Sequence, residues 1–360
     1  MRVAFVHDWL TGMRGGEYVL REVLNLFPDS EIFTLLYIKE RLDQVIESKK
    51  IHTSFIQRLP LASKYYRYYL PFFPAAVEEF RFDGFDLVFS SSHCVAKGAI
   101  PPPGVPHICY CHTPMRYAWD LYHDYFGHYK GLRKLFVSLM ISRLRTWDVA
   151  SSNRVDRFLA NSSLVRERIR RYYNREAQVI YPPVDTDFFQ CRERRKGEYF
   201  LAVSSHVPYK RIDLLLKAFK ELKNFRLVIV GDGPLFKKHR KMATDNIKLI
   251  RAVSREELRR LYCDALALIH PGKEDFGMVM AEAQSSGVPV IAYGEGGARD
   301  IIREGTGLFF YPQSHEVLIE VLRDFNPGDF SPREIRENSL RFSSQRFREE
   351  IQKVIREIMG

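Results

Sequence analysis

The 360-residue sequence has no long hydrophobic run and no leader-like start. A helix that spans a bilayer needs roughly 20 apolar residues. One of the longest apolar runs here, Leu135 to Ile141, is far shorter and is interrupted by Ser138. The apolar residues Val3 to Val6 are followed at once by His7 and Asp8, which is not the pattern of a signal peptide. We therefore expect a cytoplasmic protein, either soluble or bound peripherally to the inner face of the cell membrane.

Cysteine is scarce, with five residues scattered along the chain. An odd number at irregular spacing predicts no disulfide framework. Cys109 and Cys111 share one face of a predicted strand and His112 follows them, which leaves a metal site as an alternative. No second Cys/His cluster with ligand spacing accompanies them, and free cysteine is commonly a small core residue. We therefore expect core thiols, no metal site and a reducing compartment.

Acidic residues are outnumbered by basic ones, 44 to 55, which gives a formal net charge of +11. This bias favours an anionic partner: nucleic acid, anionic lipid or a phosphorylated small molecule. The sequence lacks a recognised nucleic-acid-binding motif, so we expect no nucleic-acid partner. The run Gly231-Asp232-Gly233-Pro234 lacks the spacing of the Gly-x-Gly-x-x-Gly fingerprint, so NAD binding is disfavoured.

Short apolar runs alternate with amphipathic stretches, which is typical of α/β domains with parallel sheets. A Gly-rich turn, Thr11 to Gly16, follows the first strand. The predicted strands are Val3 to Val6, Asp86 to Ser90, His107 to Cys111, Arg157 to Ala160, Tyr199 to Val203, Arg226 to Val230, Ile247 to Ile250, Ala265 to His270 and Val288 to Ala292. The predicted helices are Glu17 to Phe27, Asp213 to Leu222, one opened by the capping-box pattern Ser254 to Glu257, Val279 to Ser286 and Ser344 to Met359.

This order predicts two Rossmann-like domains in tandem. The N-terminal domain comprises residues 1–183 and the C-terminal domain residues 184–343. The linker is Tyr181 to Asp185, where two prolines fix the chain. The helix at residues 344–360 is predicted to cross back and join the N-terminal domain.

Two glutamates, Glu274 and Glu282, stand eight positions apart around a predicted loop-to-helix transition. The N–H groups at the start of that helix, from Gly277 to Val279, attract phosphate, and a carboxylate can accept hydrogen bonds from two vicinal sugar hydroxyls. The alternative is a pair of surface glutamates on an amphipathic segment. The position after a strand of an open parallel sheet, where such folds bind ligands, favours a binding role.

Several segments together resemble one enzyme family. Glu274 to Glu282 resembles the E-x7-E signature of retaining GT-B glycosyltransferases, and Val207 to Asp213 resembles their phosphate-binding loop. His112 to Asp120, and Tyr181 to Asp185 with Phe188, resemble the mannosyltransferase-like branch of family 4 (group 1). The resemblance covers nearly the whole chain in order and implies the GT-B fold, in which a cleft separates two Rossmann-like domains.

The resemblance also implies site residues. The implied catalytic residues are His112, Lys210 and Glu274. The implied donor-binding residues are Gly15, Gly16, Lys210, Arg211, Glu274, Phe276, Gly277, Met278, Val279 and Glu282. The implied acceptor-binding residues are Arg116 and Tyr117.

Their implied roles agree with the chemistry of glycosyl transfer. Cleavage of a glycosyl–phosphate bond leaves negative charge on the diphosphate. Catalysis therefore needs preorganised positive groups at the leaving phosphate more than it needs a strong base. Lys210 would neutralise that charge, and Gly15 would lie in a loop that closes over the phosphates. Glu282 would hold the donor ribose, and Glu274 and His112 would contact the transferred sugar.

One position departs from the family pattern. In the family, Gly-Arg stands at the positions of Ser204 and Ser205 in this chain. The arginine of that pair also binds the diphosphate. Loss of one charge-assisted contact costs roughly 2–3 kcal/mol. Arg211 or Arg14 are the candidate substitutes; without one, the chain would be a weakened enzyme.

The segment from residue 128 to 146 carries five Lys and Arg residues and no acid, and Leu132, Leu135, Phe136, Leu139 and Met140 share one helical face. A basic amphipathic helix of this kind can lie on an anionic leaflet. The alternative is a core-packed helix with a solvated basic face. The Tyr- and Phe-rich segment from Leu59 to Phe82 is a second candidate for membrane contact.

The sequence therefore predicts a retaining glycosyltransferase that moves a hexose, mannose from GDP-mannose, to a glycan or polyprenyl-diphosphate-linked acceptor in surface polysaccharide synthesis. No Asp-x-Asp metal motif stands beside a donor-site candidate, so we expect no cofactor and no obligatory metal. The main alternative is a non-catalytic or weakened GT-B protein that binds a sugar nucleotide or a lipid. A nucleotide-sugar epimerase or a sugar-polymer synthase is disfavoured by the Glu274/Glu282 motif and the short N-terminal half.

Overall fold

In the computed structural model, parallel strands alternate with helices along residues 1–191 and 197–360, which are the residues that the structure describes. The chain divides into two units, one made of Met1–Tyr181 with Phe347–Gly360 and the other of Pro182–Arg346. The sequence placed the corresponding boundaries at residues 183 and 343. The predicted α/β class with two parallel sheets is confirmed.

The first unit follows this pattern from its first strand. Its strands are β1 (Val3–His7), β2 (Glu31–Thr34), β3 (Lys50–Thr53), β4 (Leu87–Ser92), β5 (His107–Cys111), β6 (Arg157–Ala160) and β7 (Ala177–Val179). Its helices are α1 (Gly15–Leu24), α2 (Gln44–Glu47), α3 (Ala62–Tyr65), α4 (Phe73–Glu78), α5 (Tyr122–Phe126), α6 (Gly131–Ser152) and α7 (Ser163–Tyr173). Short 3-10 turns span Phe55–Arg58, Tyr66–Phe72 and Ala96–Gly98.

In the described part of this unit, the sheet order is β3-β2-β1-β4-β5-β6-β7 and every pairing is parallel. β1 and β4 are buried along their whole length, as expected for strands covered on both faces.

The sequence analysis missed β2, β3 and β7. β3 has no continuous apolar run, since Lys50, His52 and Thr53 surround its single isoleucine, and β7 has three residues, so neither carries a strong pattern.

The second unit repeats the alternation. Its strands are β8 (Tyr199–Val203), β9 (Leu227–Val230), β10 (Ile247–Ile250), β11 (Ala265–His270), β12 (Val290–Tyr293) and β13 (Gly307–Phe310). Its helices are α8 (Ile212–Glu221), α9 (Phe236–Met242), α10 (Arg255–Cys263), α11 (Met278–Ser285), α12 (Ala298–Ile301), α13 (His315–Asp324) and α14 (Pro332–Ser339). Short 3-10 turns span Pro208–Lys210, Pro327–Asp329 and Leu340–Phe342.

The described strands of this unit form one parallel sheet in the order β10-β9-β8-β11-β12-β13. Ser254 caps α10 as predicted, because its Oγ accepts a hydrogen bond from the N–H of Glu257 at 3.1 Å. The apolar faces of α8 and α13 pack on the sheet in one core cluster that includes Phe200, Leu215 and Leu318.

The last helix, α15 (Ser344–Met359), begins in the second unit and continues into the first. Its buried residues Phe347, Ile351 and Val354 join the core cluster around Val3 and Phe5 of β1. The chain therefore returns to the first sheet after the second is complete, because the apolar stripe of α15 is buried there.

Cys191 and Cys263 form a disulfide, which corrects the prediction that the cysteines form no bridge. The partners lie 72 residues apart in sequence, so spacing alone could not pair them. Cys94, Cys109 and Cys111 are buried. Cys109 and Cys111 pack in a core cluster with Val155 and Phe158, as predicted for small core residues.

Among the described residues, no helix combines the length and the apolar composition needed to cross a membrane.

Candidate functional site

Two strand ends meet at the switch point of the second sheet. The strand order places β8 beside β11, and the later strands extend from this pair in opposite directions. In open parallel sheets, ligands bind outside the carboxyl ends of the strands at such a point. Lys210 lies on the turn after β8 and Glu274 on the loop after β11. The topology therefore brings the two side chains together although 64 residues separate them.

The Glu274 carboxylate lies against two basic side chains. Lys210 Nζ donates a hydrogen bond to Glu274 Oε1, and His270 Nε2 lies 3.3 Å from the same oxygen without hydrogen-bond geometry. Burial, reinforced by the charge of Lys210, lowers the pKa of His270 to about 3. His270 is therefore neutral at pH 7, and Lys210 supplies the positive charge beside this oxygen.

The main chain of Glu274 is held by the glycine-rich loop after β12. Glu274 forms an isolated parallel bridge with Gly296, and its carbonyl oxygen accepts a hydrogen bond from the N–H of Gly297 at 3.0 Å. A Cβ atom on Gly296 would collide with Glu274, and one on Gly297 would collide with Phe276. This close approach requires glycine at both positions, so the conformation of the Glu274 loop depends on them.

Helix α11 begins directly after this loop. Gly277 precedes it with a φ of 94°, a left-handed conformation that favours glycine. The first N–H groups of a helix lack intrahelical partners and lie at its positive end, which places the N–H groups of Met278 and Val279 beside the Glu274 loop. The Phe276 side chain is buried against Phe342, with ring centroids 5.3 Å apart, so only its backbone is available to a ligand.

Glu282 lies on α11 and contacts the fully buried Tyr262. The Tyr262 hydroxyl donates a hydrogen bond to Glu282 Oε2 at 3.0 Å. Burial raises the pKa of Glu282 to about 7, and this hydrogen bond only partly offsets the rise. The carboxyl group therefore changes its charge near neutral pH, and it can accept hydrogen bonds from vicinal hydroxyls when ionised.

Of the other two predicted cations, Arg211 has protein partners for its side chain, whereas the contact of Arg14 is made by its main chain. The Arg211 guanidinium donates to Asp213 at 3.2 Å and to Gln313 at 2.9 Å. The Arg14 main-chain N–H donates to Glu17 at 3.1 Å. Ser205, which stands where the family resemblance expects arginine, is exposed after β8. Replacement of the missing arginine by Arg211 or Arg14 stays a prediction.

The loop that contains Ser205 rests on a buried histidine pair. His206 Nδ1 lies 2.9 Å from His239 Nδ1, and burial with the charge of His239 lowers the pKa of His206 to about 4. A Cβ atom on Gly231 would collide with Ser204, and one on Gly233 would lie 2.8 Å from the His206 backbone. The Gly231 to Pro234 run is therefore a turn packed against the loop after β8.

In the first unit, three histidines follow neighbouring strand ends at the switch point between β1 and β4. His7 ends β1, His93 follows β4 and His112 follows β5. Gly16 lies against two of them, because a Cβ atom there would be 3.5 Å from His112 Nε2 and from His7 Cε1. Gly15 and Gly16 form the first turn of α1, which corrects the prediction that the helix begins at Glu17.

His112 is a neutral hydrogen-bonding group. Its Nε2 lies 2.8 Å from Ser91 Oγ. Burial, together with the charges of His93 and His7, lowers the pKa of His112 to about 3. At neutral pH the ring is therefore uncharged, and it can orient a hydroxyl but cannot neutralise a phosphate.

Arg116 and Tyr117 lie on the turn after β5. The Arg116 carbonyl oxygen accepts a hydrogen bond from the N–H of Leu121 at 2.8 Å. The Tyr117 hydroxyl lies 2.8 Å from Cys94 Sγ, and burial raises the pKa of Tyr117 well above its ordinary value. The phenol is thus engaged inside the unit, and an acceptor-binding role for these two residues stays a prediction.

The sequence analysis missed Asp8 and His93. Asp8 is fully buried, and its carboxylate accepts backbone hydrogen bonds of 2.6 to 2.9 Å from His93, Cys94, Val95 and Ala96. His93 Nδ1 also lies 3.0 Å from Asp8 Oδ2. The available signal was positional, because both residues stand within three positions of the end of a predicted strand, Val3 to Val6 or Asp86 to Ser90.

Within residues 1–191 and 197–360, no group of three or more His, Cys, Asp or Glu side chains is placed to hold a metal ion. The carboxylates of the donor candidates contact Lys210 and Tyr262 instead. The expectation that the protein works without a metal or cofactor stays a prediction.

Two family models match adjoining parts of the chain. The model described as Glycosyltransferase Family 4 matches residues 13–188. The model described as Glycosyl transferases group 1 matches residues 183–341. Together the two matches extend over most of both structural units.

Curated relatives are similar to the chain over part of its length. An uncharacterized glycosyltransferase of Methanocaldococcus jannaschii is 27% identical over 198 residues, which cover 53% of this chain and 55% of the relative. The O-antigen chain mannosyltransferase RfbU of Salmonella typhimurium is 32% identical over 191 residues, covering 50% of this chain and 49% of the relative. The chain thus spans about half the length of these curated relatives.

Solved structures are similar over the full length. The Anabaena protein Alr3699/HepE in complex with UDP has 16% sequence identity and a TM-score of 0.74, covering 99% of this chain and 100% of that one. The sucrose-phosphate synthase of Thermosynechococcus elongatus has 15% identity and a TM-score of 0.74, covering 99% of each chain. This likeness confirms the predicted GT-B fold class.

The raised pKa of Glu282 predicts a pH-dependent stability. Between about pH 4.5 and 7 the unfolded chain loses the Glu282 proton while the folded chain keeps it, so the free energy of unfolding should fall as pH rises, by up to about 3 kcal/mol. Glu282→Gln should remove this fall, and Glu320→Gln, an exposed control on α13, should retain it. Chemical denaturation from pH 4.5 to 8 measures the effect; equal pH profiles for wild type and Glu282→Gln would contradict it.

Proposed function

The chain belongs to the group 1 glycosyltransferases of family 4, and from this premise we propose that it transfers a hexose from a nucleotide-sugar with retention of anomeric configuration. The observation that carries the proposal is the grouping of Lys210, Glu274 and the start of α11 at one sheet switch point. Glu282, on the same helix, adds a carboxyl group. The grouping offers a cation and helix N–H groups for a diphosphate, and two carboxyl groups for sugar hydroxyls.

The chemistry requires charge stabilisation at the leaving group. As the glycosyl–phosphate bond breaks, the diphosphate gains negative charge and the sugar gains oxocarbenium character. In the proposed role Lys210 turns from Glu274 toward the diphosphate, and the N–H groups of Met278 and Val279 add hydrogen bonds. Glu274, released from Lys210, accepts hydrogen bonds from the transferred sugar, while Glu282 accepts them from the ribose.

Ser205 supports a second candidate function. The residue is exposed at the position where the family resemblance expects a phosphate-binding arginine, so the donor diphosphate would meet one cation fewer. A non-catalytic or weakened protein that binds sugar nucleotides is the corresponding candidate. Turnover of a donor at an ordinary rate separates the two.

We propose GDP-mannose as the donor, for surface polysaccharide synthesis. Support comes from relatives whose names state mannosyl transfer: the O-antigen chain mannosyltransferase of Salmonella typhimurium and the GDP-mannose-dependent phosphatidylinositol monomannoside mannosyltransferase of Mycolicibacterium smegmatis, 32% identical over 152 residues. The Anabaena structure contains UDP, so uridine nucleotides are the comparison that a donor panel must include.

For the acceptor we propose a glycan or a polyprenyl-diphosphate-linked sugar at an anionic membrane surface. The first half of α6 supports this partner, because Leu132, Leu135, Phe136 and Leu139 are 85%, 57%, 68% and 59% exposed. The sequence left open whether this face packs into the core. These four side chains do not, whereas Ile141 and Leu144 in the second half are buried.

A second exposed apolar group lies in the same unit. Leu61, Tyr65, Tyr68 and Phe72 are exposed on or beside α3 and the 3-10 turn Tyr66–Phe72. Apolar side chains flanked by lysine and arginine are typical of surfaces that bind anionic lipid. The absence of acidic residues from residue 128 to 146 favours this partner over a basic or neutral protein surface.

The donor proposal predicts loss of turnover when the cation is removed. Lys210→Met should lower nucleoside diphosphate release from the preferred sugar nucleotide by about 100- to 1000-fold, because one preorganised group no longer stabilises the developing charge. The measurement is turnover across GDP-, UDP- and ADP-sugars with a glycan acceptor. Lys220→Met, on the exposed side of α8, is the matched control and should behave as wild type. Turnover that survives Lys210→Met unchanged, or no turnover of any donor by wild type, contradicts the proposal.

The membrane proposal predicts binding that depends on both lipid charge and the α6 face. The full chain should float with phosphatidylglycerol-containing vesicles and not with pure phosphatidylcholine vesicles. Leu135→Ser combined with Phe136→Ser should weaken binding roughly tenfold or more, since two large apolar side chains no longer enter the interface. Phe309→Ser, an exposed apolar residue of the second unit, is the control. Equal flotation of all three proteins would count against the proposal.

A further inference from the structure

The disulfide of the second unit lies beside the predicted ribose-binding carboxyl group, and the proposed function gives it no role. Cys263 is the last residue of α10 and directly follows Tyr262, whose hydroxyl donates a hydrogen bond to Glu282 Oε2 at 3.0 Å. Cys191, its partner in the disulfide, ends a stretch that we call the bridged segment, residues 185–191. The disulfide therefore joins this segment to α10 one position away from a side chain that contacts Glu282.

The bridged segment packs against Tyr262 as well as being bonded to its neighbour. The Phe189 ring meets the Tyr262 ring edge to face, with ring centroids 5.7 Å apart. The Phe189 carbonyl oxygen accepts a hydrogen bond from Ser286 Oγ, at the end of α11, at 2.6 Å. Tyr262 is fully buried, so its position depends on Phe189 on one side and on Glu282 on the other.

Arg255 connects the same segment to Glu282 a second time. Its guanidinium lies 4.4 Å from the centroid of the Phe188 ring and pairs with Asp185 at 3.1 Å. Burial raises the pKa of Glu282 to about 7, and the hydrogen bond from Tyr262 and the charge of Arg255 oppose this rise. Both opposing groups lie on α10, and both contact the bridged segment.

The disulfide is accessible to thiol reagents. Cys191 and Cys263 are partly exposed, whereas Cys94, Cys109 and Cys111 are buried. Exchange requires that a thiolate reach one sulfur of the bridge. In the cytoplasm, the location expected from the sequence, thiols are kept reduced, and a disulfide is usually transient and serves catalysis or redox sensing. A partly exposed bridge next to a donor-site carboxyl group fits a sensing role.

We propose that Cys191 and Cys263 form a redox-modification site that reacts with dithiols and small-molecule disulfides and thereby sets the affinity of the donor site for a nucleoside diphosphate. The inference rests on the proposed function, in which Glu282 binds the ribose. A dithiol passes two electrons and two protons to the bridge: the S–S bond breaks, two cysteine thiols form, and the dithiol becomes a disulfide. Glutathione disulfide reverses the step, since the bridge forms again and two glutathione thiols leave.

The oxidised form should bind the nucleotide more tightly near neutral pH. With the bridge closed, Tyr262 and Arg255 are held where they favour ionised Glu282, which accepts hydrogen bonds from the ribose hydroxyls. Opening the bridge releases one end of the bridged segment and weakens both effects, so the pKa of Glu282 rises further. More Glu282 is then protonated near pH 6.5, and the ribose loses an acceptor. Near pH 9 Glu282 is ionised in both forms, so the two affinities should converge.

Nucleotide titration of the full-length protein in its two redox states tests the proposal. Calorimetry measures the affinities for GDP, UDP and ADP before and after treatment with dithiothreitol, and alkylation followed by mass spectrometry reports the state of the bridge. Reduction should weaken binding of the preferred nucleotide about tenfold at pH 6.5, because a hydrogen bond to a charged group is weakened. The loss should shrink to about twofold or less at pH 9. Glutathione disulfide should restore the original affinity.

Two variants locate the effect. Cys191→Ser combined with Cys263→Ser is the matched control for the reductant, because it retains the three buried cysteines. Its affinity should equal that of reduced wild type and should not respond to dithiothreitol. Tyr262→Phe keeps a ring against Phe189 but has no hydroxyl to donate to Glu282. It should bind the nucleotide more weakly than oxidised wild type and should lose most of the redox response.

The outcomes separate this inference from the function on which it rests. Equal affinities of oxidised and reduced wild type at pH 6.5, or a loss of the same size at pH 9, would overturn the inference. So would a response to dithiothreitol that the double serine variant shares, or a bridge that dithiothreitol does not open. Failure of GDP, UDP and ADP to bind either form contradicts the proposed function itself.

Discussion

The contact between the loop after β11 and the glycine-rich loop after β12 determines the geometry of the donor-site candidate. Glu274 bridges to Gly296, and the Gly297 N–H binds the Glu274 carbonyl oxygen at 3.0 Å. Because side chains at these glycines would collide with the neighbouring backbone, the approach is possible only without them. The position of Gly277, and with it the start of α11, follows from this contact.

The Glu274 carboxylate is positioned by the same loop, and it in turn holds Lys210. Burial keeps His270 neutral, so the charge balance at this point is one lysine against one glutamate. In the proposed function, an anionic ligand would compete with Glu274 for Lys210, and the N–H groups at the start of α11 would lie beside it.

The first unit uses its switch point differently. Its strand ends carry His7, Asp8, His93 and His112, and the buried carboxylate of Asp8 accepts hydrogen bonds from four backbone N–H groups. In the proposed reaction the second unit supplies a cation for the leaving group, and His112 of the first unit, which is neutral, can orient a hydroxyl.

The sequence predicted the features that depend on local pattern. Continuous apolar runs revealed β1, β4, β5 and the strands of the second sheet up to β12, and the Glu274 to Glu282 motif indicated a loop-to-helix transition that the structure contains. The sequence did not predict the features that depend on tertiary contacts. β3 has no apolar run, and the Cys191–Cys263 bridge joins residues 72 positions apart. The Asp8–His93 pair is visible only after the strand order places β1 beside β4.

The site predictions came mainly from the family resemblance, and the structure supplies reasons for them that pattern alone lacks. Lys210 lies close to Glu274 because β8 and β11 are neighbours in the sheet, although β9 and β10 lie between them in the sequence. The raised pKa of Glu282 follows from its burial beside Tyr262, which no spacing rule reveals. Conversely, the sequence offered Arg211 as a second cation for the phosphates. Its hydrogen bonds to Asp213 and Gln313 are apparent only in the structure.

The central claim is that Lys210, the start of α11 and Glu282 together bind a nucleoside diphosphate. A crystal structure of the protein soaked with GDP tests it most directly. The account predicts diphosphate oxygens within hydrogen-bond distance of Lys210 Nζ and of the N–H groups of Met278 and Val279, with the ribose hydroxyls on Glu282 and the Lys210–Glu274 contact opened. GDP bound elsewhere, with Lys210 still on Glu274, would contradict the account.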